Sequence, residues 1–243
     1  MLQWSKYEWL TQERWGQIHP DKNFVWYDET AVSVDENGFL HLKTHFNPKF
    51  FPELNVTSNV GVGLVSCTTP LKHGVYEIEA KLPQGKNLWP AFWMWSFDSW
   101  PPEIDVFEAY SNDKGSYFSL EYNLETGLSI WDVQTNVWWK NGIENSMLGG
   151  KSGWFGIKNP TKEFIKYKLE WSPTYIKFFY NEKLIRTVTN QKILEQCNNT
   201  TMNVILNNSL IKPDNNTNSD FIVKYFTYTP YKDRKSTRLN SSH

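Results

Sequence analysis

An all-β fold, an antiparallel sandwich or barrel, is what this chain of 243 residues predicts, and three observations predict it. Short runs alternate apolar and polar residues with a period of two. Turn residues punctuate those runs at close intervals. No stretch sustains the 3.6-residue period of a long amphipathic helix.

Taken along the chain, "GFLHLKTH" follows a turn at Asn37-Gly38 and reads as the first clear strand. "VGLVSCT" and "GVYEIEAKLP" continue the alternation, and "PAFWMW" and "EIDVFE" supply two more strands in close succession. Residues 131–163, which include Trp138, Trp139, "GGKSGW" and "KNPTKE", have weak periodicity and read as a long insertion bordering a binding face. "FIKYKLEWS" resumes the pattern, and "YIKFFYNEKLIRTV" reads as a hairpin turning at Asn181-Glu182. "NQKILEQC" supports about two turns of helix, and "MNVILNN" and "DFIVKYFTYTP" close the series. With no internal repeat and no linker, residues 1–232 read as one domain. The last eleven residues, "DRKSTRLNSSH", are basic, polar and aperiodic; they resemble a translated library adapter, so 233–243 is expected to be a non-native tail.

Composition excludes several functions. Basic and acidic residues number 25 and 26, so no strong field draws the chain to nucleic acid or anionic lipid, and basic tracts with interleaved aromatics are absent. The apolar runs fall far short of a membrane span, and the N-terminus "MLQWSKYEWL" lacks the pattern of a signal peptide. Cys67 and Cys197 suit either one bridge or two buried thiols. The five histidines have no metal-ligand spacing, which speaks against a His-based zinc site; no metal and no cofactor are expected. The 13 tryptophans stand out, because an indole face stacks well on the apolar CH face of a sugar ring.

Three carboxylates occupy a segment whose apolar residues read as buried strand. In "SWPPEIDVFEAYS", Glu103 and Asp105 share one face while Ile104 and Val106 share the other. Glu108 is out of phase with its predecessors, and one extra residue near Val106-Phe107, a β-bulge, restores the phase. Five residues of strand span at most ~16 Å; with a bulge and inward-reaching side chains, two carboxyl groups approach to about 5–6 Å. That separation suits a retaining glycosidase, in which one carboxylate attacks the anomeric carbon and the other acts as acid and then base. Crowded carboxyls cannot all ionise cheaply, so one is expected to keep its proton near neutrality. The competing readings are a Ca²⁺ site, which suits flexible Asp/Asn/Gly loops better than a strand, and a solvated acidic face.

Upstream, Trp89, Ala91, Trp93 and Trp95 share a parity in "LWPAFWMW", opposite to Phe92 and Met94. Three indoles on the acid-bearing face would wall a sugar site, with Trp95 expected as core or rim packing. Trp100, just before Pro101-Pro102, is placed to close a subsite.

"WPAFWMW" followed by "EIDVFE" resembles the signature of glycoside hydrolase family 16, and the similarity runs through most of the chain to about residue 230. The resemblance implies a concanavalin-like β-jelly roll: two antiparallel sheets with a concave substrate cleft. It implies Glu103 as nucleophile, Asp105 as its assistant and Glu108 as acid/base, in the bulged branch that includes laminarinases and agarases. It also implies Trp89 and Trp93 at the negative subsites, and points to Trp171 in "LEW" and Asn207 in "ILNN" as further substrate-binding positions. Lys224 stands where many members carry an Asp that helps bind a structural Ca²⁺, which speaks against calcium there.

The expected function is therefore a retaining endo-β-glycosidase acting on a β-1,3- or mixed-linkage β-1,3-1,4-glucan. A galactan hydrolase of the agarase, porphyranase or carrageenase type is the alternative, and the sparse basic residues near the motif argue for a neutral glucan instead. A non-catalytic carbohydrate-binding jelly roll and transglycosylation are further alternatives. The partner is a polysaccharide; the protein is expected to be a monomer, extracellular or periplasmic, with no nucleic-acid or membrane partner.

Overall fold

The computed structural model describes residues 1–19, 22–112, 115, 117–122, 129–131, 133–147 and 160–231. The expected domain end at 232, the tail 233–243 and the "GGKSGW" stretch lie outside the described residues.

Two large sheets face each other. The first, here the cleft sheet, has the strand order Leu2–Trp4, Tyr7–Leu10, Leu64–Cys67, Asn203–Leu210, Leu88–Ser96, Ser99–Ala109, Val133–Trp139, Gly142–Met147. The second, the outer sheet, runs Lys183–Val188, Ile176–Tyr180, Ile165–Trp171, Gly74–Lys81, Asn218–Pro230, Leu40–Phe51, Val56–Val62, Val25–Tyr27, with Val32–Val34 also paired to Leu40–Phe51. The pairings are antiparallel except for Val25–Tyr27 with Val56–Val62. Distant segments lie side by side, as in a jelly roll, so the sheets hold together through pairings far apart in sequence.

The period-two pattern explains the core. Gly74–Lys81 and Ile165–Trp171 alternate buried and half-buried residues at every step, placing Tyr76, Ile78 and Ala80 beside Tyr167, Leu169 and Trp171 on the inner face of the outer sheet. Phe92, Met94, Ile104, Val106, Phe107, Val204 and Leu206 answer from the cleft sheet, and all of them are buried in one continuous cluster. The hairpin at Asn181-Glu182 is present, with φ of 45° and 63° at the two turn residues, the geometry whose twist suits a two-residue hairpin. The short helix is Gln191–Asn198, with the Asn190 side chain accepting from the Lys192 N–H at 3.1 Å.

Two expectations are corrected. "VGLVSCT" is not one strand: Val56–Val62 belongs to the outer sheet and Leu64–Cys67 to the cleft sheet. The chain changes sheet at Gly63, where a Cβ would lie 2.8 Å from the Ala31 carbonyl oxygen and from Leu42 Cα. Part of the supposed insertion is regular structure as well, because Val133–Trp139 and Gly142–Met147 form the hairpin that flanks the carboxylate strand. Its alternation is hidden by Thr135, a polar residue buried beneath Arg186, whose guanidinium donates to the Thr135 carbonyl and hydroxyl at 2.8 and 2.9 Å.

Cys67 and Cys197 are both buried and free. Lys224 donates to Glu79 at 2.6 Å and lies 4.2 Å from the Phe164 ring centre. No helix among the described residues is long and apolar enough to cross a membrane.

Candidate active site

The Ser99–Ala109 strand sits between Leu88–Ser96 and Val133–Trp139, and the register breaks where the odd spacing demands it. Asp105 pairs with Trp93 and Glu108 with Ala91, so three steps on one strand face two on its neighbour. On the other side Asp105 pairs with Asn136 and Glu108 with Gln134, with the same slip. This is a β-bulge. Val106 and Phe107 both point into the core and are fully buried. Phe107 packs 4.4 Å from Tyr167, and the Tyr180 hydroxyl donates to the Val106 carbonyl at 3.0 Å. Two successive apolar residues on the inside return Glu108 to the side of Glu103 and Asp105.

The registers lay side chains in rows across the cleft sheet. Asn203, Trp95, Glu103 and Trp138 form one row; Ile205, Trp93, Asp105 and Asn136 the next; Asn207, Ala91 and Glu108 a third. Ala91 leaves a low point between Glu108 and Asn207. The rows floor a cavity of about 500 Å³ lined by the three acids together with Trp89, Trp93, Trp100 and Asn207. The structure thus brings together nine of the residues singled out from sequence: the three carboxylates, Trp89, Trp93, Trp95, Trp100, Ala91 and Asn207.

Each carboxylate has its own holders. Trp100 Nε1 donates to Glu103 Oε2 at 2.8 Å. Trp89 Nε1 donates to Glu108 Oε1 at 3.0 Å, Asn136 Nδ2 donates to Glu108 Oε2 at 2.5 Å, and the Tyr110 hydroxyl also donates to Glu108. Asp105 is buried and its Oδ2 has no partner; Asn136 donates to Asp105, and a protonated Asp105 donates to Glu103.

Burial governs the electrostatics. Desolvation, with repulsion from Glu108, pushes Glu103 up to about 7 against the indole N–H that favours its anion. Desolvation and then the charges of Glu103 and Glu108 push Asp105 up. Desolvation raises Glu108 too, against Tyr110, Trp89, Lys22 and Asn136, which favour its ionised form. The three titrate as a set that retains proton at neutral pH.

Several expectations change in detail. Trp171 is not a cleft residue: it is fully buried on the inner face of the outer sheet, edge-on to His73 at 5.2 Å. Its strand alternates strictly, so its parity belongs to the core. Trp89 has an ammonium over its ring, with Lys22 Nζ 3.4 Å from the centre, so that face is not open for sugar stacking as expected. Asn207 lines the cavity and also accepts from Trp93 Nε1 at 2.8 Å, fixing that indole, and donates to the Trp89 main-chain carbonyl at 3.2 Å. Trp95 is packed at the rim, with Trp15 at 5.5 Å and the Arg14 guanidinium at 5.8 Å.

Sequence reasoning missed Trp15, His19, Lys22 and Tyr27, all of which line the cavity, and Asn136, which holds Glu108. Nothing local marks the first four, since the N-terminal segment reaches the cleft only through the fold. Asn136 was detectable in principle as a polar residue on the parity of "VQTNVWW" that Gln134 and Trp138 share, opposite to Val133, Thr135 and Val137. The argument from sparse basic residues near the motif does not hold, because Lys22 comes to the cavity from far upstream.

The fold and site define a class: a jelly-roll sandwich whose concave sheet carries three carboxylates among indoles, suited to a carbohydrate. The model of glycosyl hydrolases family 16 matches residues 20–225, and the chain belongs to that family. Among relatives, the endo-1,3-1,4-beta-glycanase ExsH of Rhizobium meliloti is 25% identical over 179 residues, covering 60% of this chain and 36% of that protein. The beta-glucanase of Rhodothermus marinus is 30% identical over 125 residues, 51% of this chain and 40% of that protein. This chain therefore spans about two fifths or less of the length of either relative. The laminarinase catalytic domain of Thermotoga maritima shares the fold at a TM-score of 0.67 and 17% identity, covering 90% of this chain and 86% of that one.

Proposed function

We propose that the protein is a retaining endo-β-glycosidase that hydrolyses a β-1,3-containing glucan, with Glu103 as nucleophile, Glu108 as acid/base and Asp105 assisting Glu103. The single observation that carries the reading is the bulge, which turns Glu103 and Glu108 toward one cavity. Asp105 holds a proton toward Glu103 and so steadies its anion. Glu103 attacks the anomeric carbon as Glu108 gives its proton to the departing glycosidic oxygen. Glu108, now ionised, takes a proton from water; the water oxygen attacks the same carbon and Glu103 leaves, with net retention. A substrate that displaces water from the cleft raises Glu108 further and favours the acid form needed first.

The glucan assignment is supported by the names of the relatives, a glycanase of 1,3-1,4 specificity and a beta-glucanase. In this reading Trp93 and Trp100 contact sugar rings, while Trp89 and Asn207 order the site. The chain acts as a monomer where polysaccharide is found, outside the cell or in a periplasm. The test is a reducing-end assay on laminarin, lichenan, agarose, porphyran and carrageenan. Glu103→Gln should lower kcat by about 10⁴-fold or more while oligosaccharide binding persists. Undiminished hydrolysis by that variant, or turnover of galactans alone, would overturn the mechanism or the substrate respectively.

A further inference from the structure

The position of Lys22 in the cavity contradicts a simple sugar-stacking wall. Its ammonium lies 3.4 Å from the centre of the Trp89 ring, within the short range where an indole face attracts a cation. The same Trp89 points its N–H at Glu108 Oε1 at 3.0 Å. One indole thus grips a cation with its face and an acid with its edge. Lys22 lines the cavity with Glu103 and Glu108, and its charge favours the ionised form of both.

From this geometry we infer that Lys22 is a positioning residue for catalysis: clamped on Trp89, it is the built-in cation that sets the proton count shared by Glu103 and Glu108. The inference rests on the proposed roles of those two acids. Without a cation, three acids in a desolvated row retain more protons than a retaining mechanism can use, because one acid must be free to attack while the other keeps its proton. A permanent positive charge beside them releases one. After the first step Glu103 is esterified and Glu108 must be an anion; the same ammonium then stabilises the base form. The other groups around the pair act in known directions. Asp105 donates to Glu103 and favours its anion, while Glu103 and Glu108 both raise Asp105, and Glu103 raises Glu13. Tyr110, Trp89 and Asn136 donate to Glu108, and Trp100 donates to Glu103. His19 and Tyr27 complete the titratable lining of the cavity.

Removing the cation must raise both acids, which fixes a sign no structural role would reproduce. In Lys22→Met, the acid and alkaline limbs of the kcat/KM profile should both move to higher pH by about 0.5–1 unit, and Lys22→Arg should restore them. Glutamate carboxyl titration followed by ¹³C NMR in the unliganded proteins reads the same shift without any substrate, so it stands even if the glucan assignment fails. Unmoved carboxyl midpoints in folded Lys22→Met overturn the inference. So does a raised KM with both limbs in place, which would make Lys22 a substrate contact. A wild-type protein that cleaves none of the five polysaccharides, with the NMR shift present, would overturn the proposed function and leave the electrostatic role standing.

Discussion

The two sheets treat acidic side chains in opposite ways. On the outer sheet the acids meet a lysine or a histidine, or lie near water. Glu79 accepts from Lys224 at 2.6 Å, Glu182 accepts from Lys168 at 2.7 Å, and His41 sits between Asp35 and Asp220 at 3.4 and 2.8 Å. The Lys168 ammonium draws Glu182 below the ordinary carboxylate range, and backbone donation from the Phe39 N–H, with smaller help from His41 and Asn37, does the same for Asp35. On the cleft sheet the sign reverses. Glu103, Asp105 and Glu108 are crowded, desolvated and raised. Glu13, in the segment that follows the cleft-sheet strand Tyr7–Leu10, is fully buried; neither carboxylate oxygen has a side-chain donor, and desolvation pushes it up to about 8. Acids arranged at a cost to stability on one sheet, beside acids arranged to stabilise on the other, mark where function rather than folding selected the residues.

The comparison breaks first at Asp105. If its row is functional, Asp105→Asn should lower kcat by about 10²-fold and yet raise Tm at pH 7, since it removes a buried acid that stays protonated in the fold and ionises in the unfolded chain. A fall in both would mean that the carboxylate is held for packing. Glu13 gives the next largest effect. Its folded value lies above the unfolded one, so the unfolded chain gains by ionising and stability is lost as pH rises from about 4.5 to 8. Glu13→Gln should therefore match the parent near pH 4 and exceed it by on the order of 2–3 kcal/mol at pH 7 in denaturant titrations. A gap independent of pH would show that Glu13 is not the group titrating.

Much of this was legible in the chain, and the boundary is physical. The face of Glu103 and Asp105 follows from a period of two, and the bulge follows from one odd step, both local facts. The parity of Trp89 and Trp93 was equally local. Trp171 was misread because a motif resemblance was set above its own strand's strict alternation, which places it inside. "VGLVSCT" misled because continuous apolar character looks the same whether a strand continues or changes sheet; only the crowding at Gly63 tells them apart. Lys22 and Glu13 were invisible, and Asn136 was visible only as a polar residue of the right parity, for a different reason. Their partners lie 67, 90 and 28 positions away, as Lys22 to Trp89, Glu13 to Glu103 and Asn136 to Glu108, and local pattern does not encode such pairings.

The smallest effect sharpens the contrast most, because it applies the same chemical change on the other sheet. Glu79 is partly exposed, with 21% of its side-chain surface accessible against 30% for Lys224. Solvent screens such a pair, so Glu79→Gln should destabilise by less than about 1 kcal/mol at low salt, with the loss shrinking as salt is added. The sign is opposite to Glu13→Gln, although each variant exchanges one carboxylate for one amide. What differs in kind is burial beside a like charge: Glu79 keeps an ammonium and water, while Glu13 has neither a side-chain donor nor exposure and faces Glu103. Two Glu→Gln variants moving stability in the same direction at pH 7 would remove the contrast between the sheets, and with it the reason to read the cleft's raised acids as selected for chemistry.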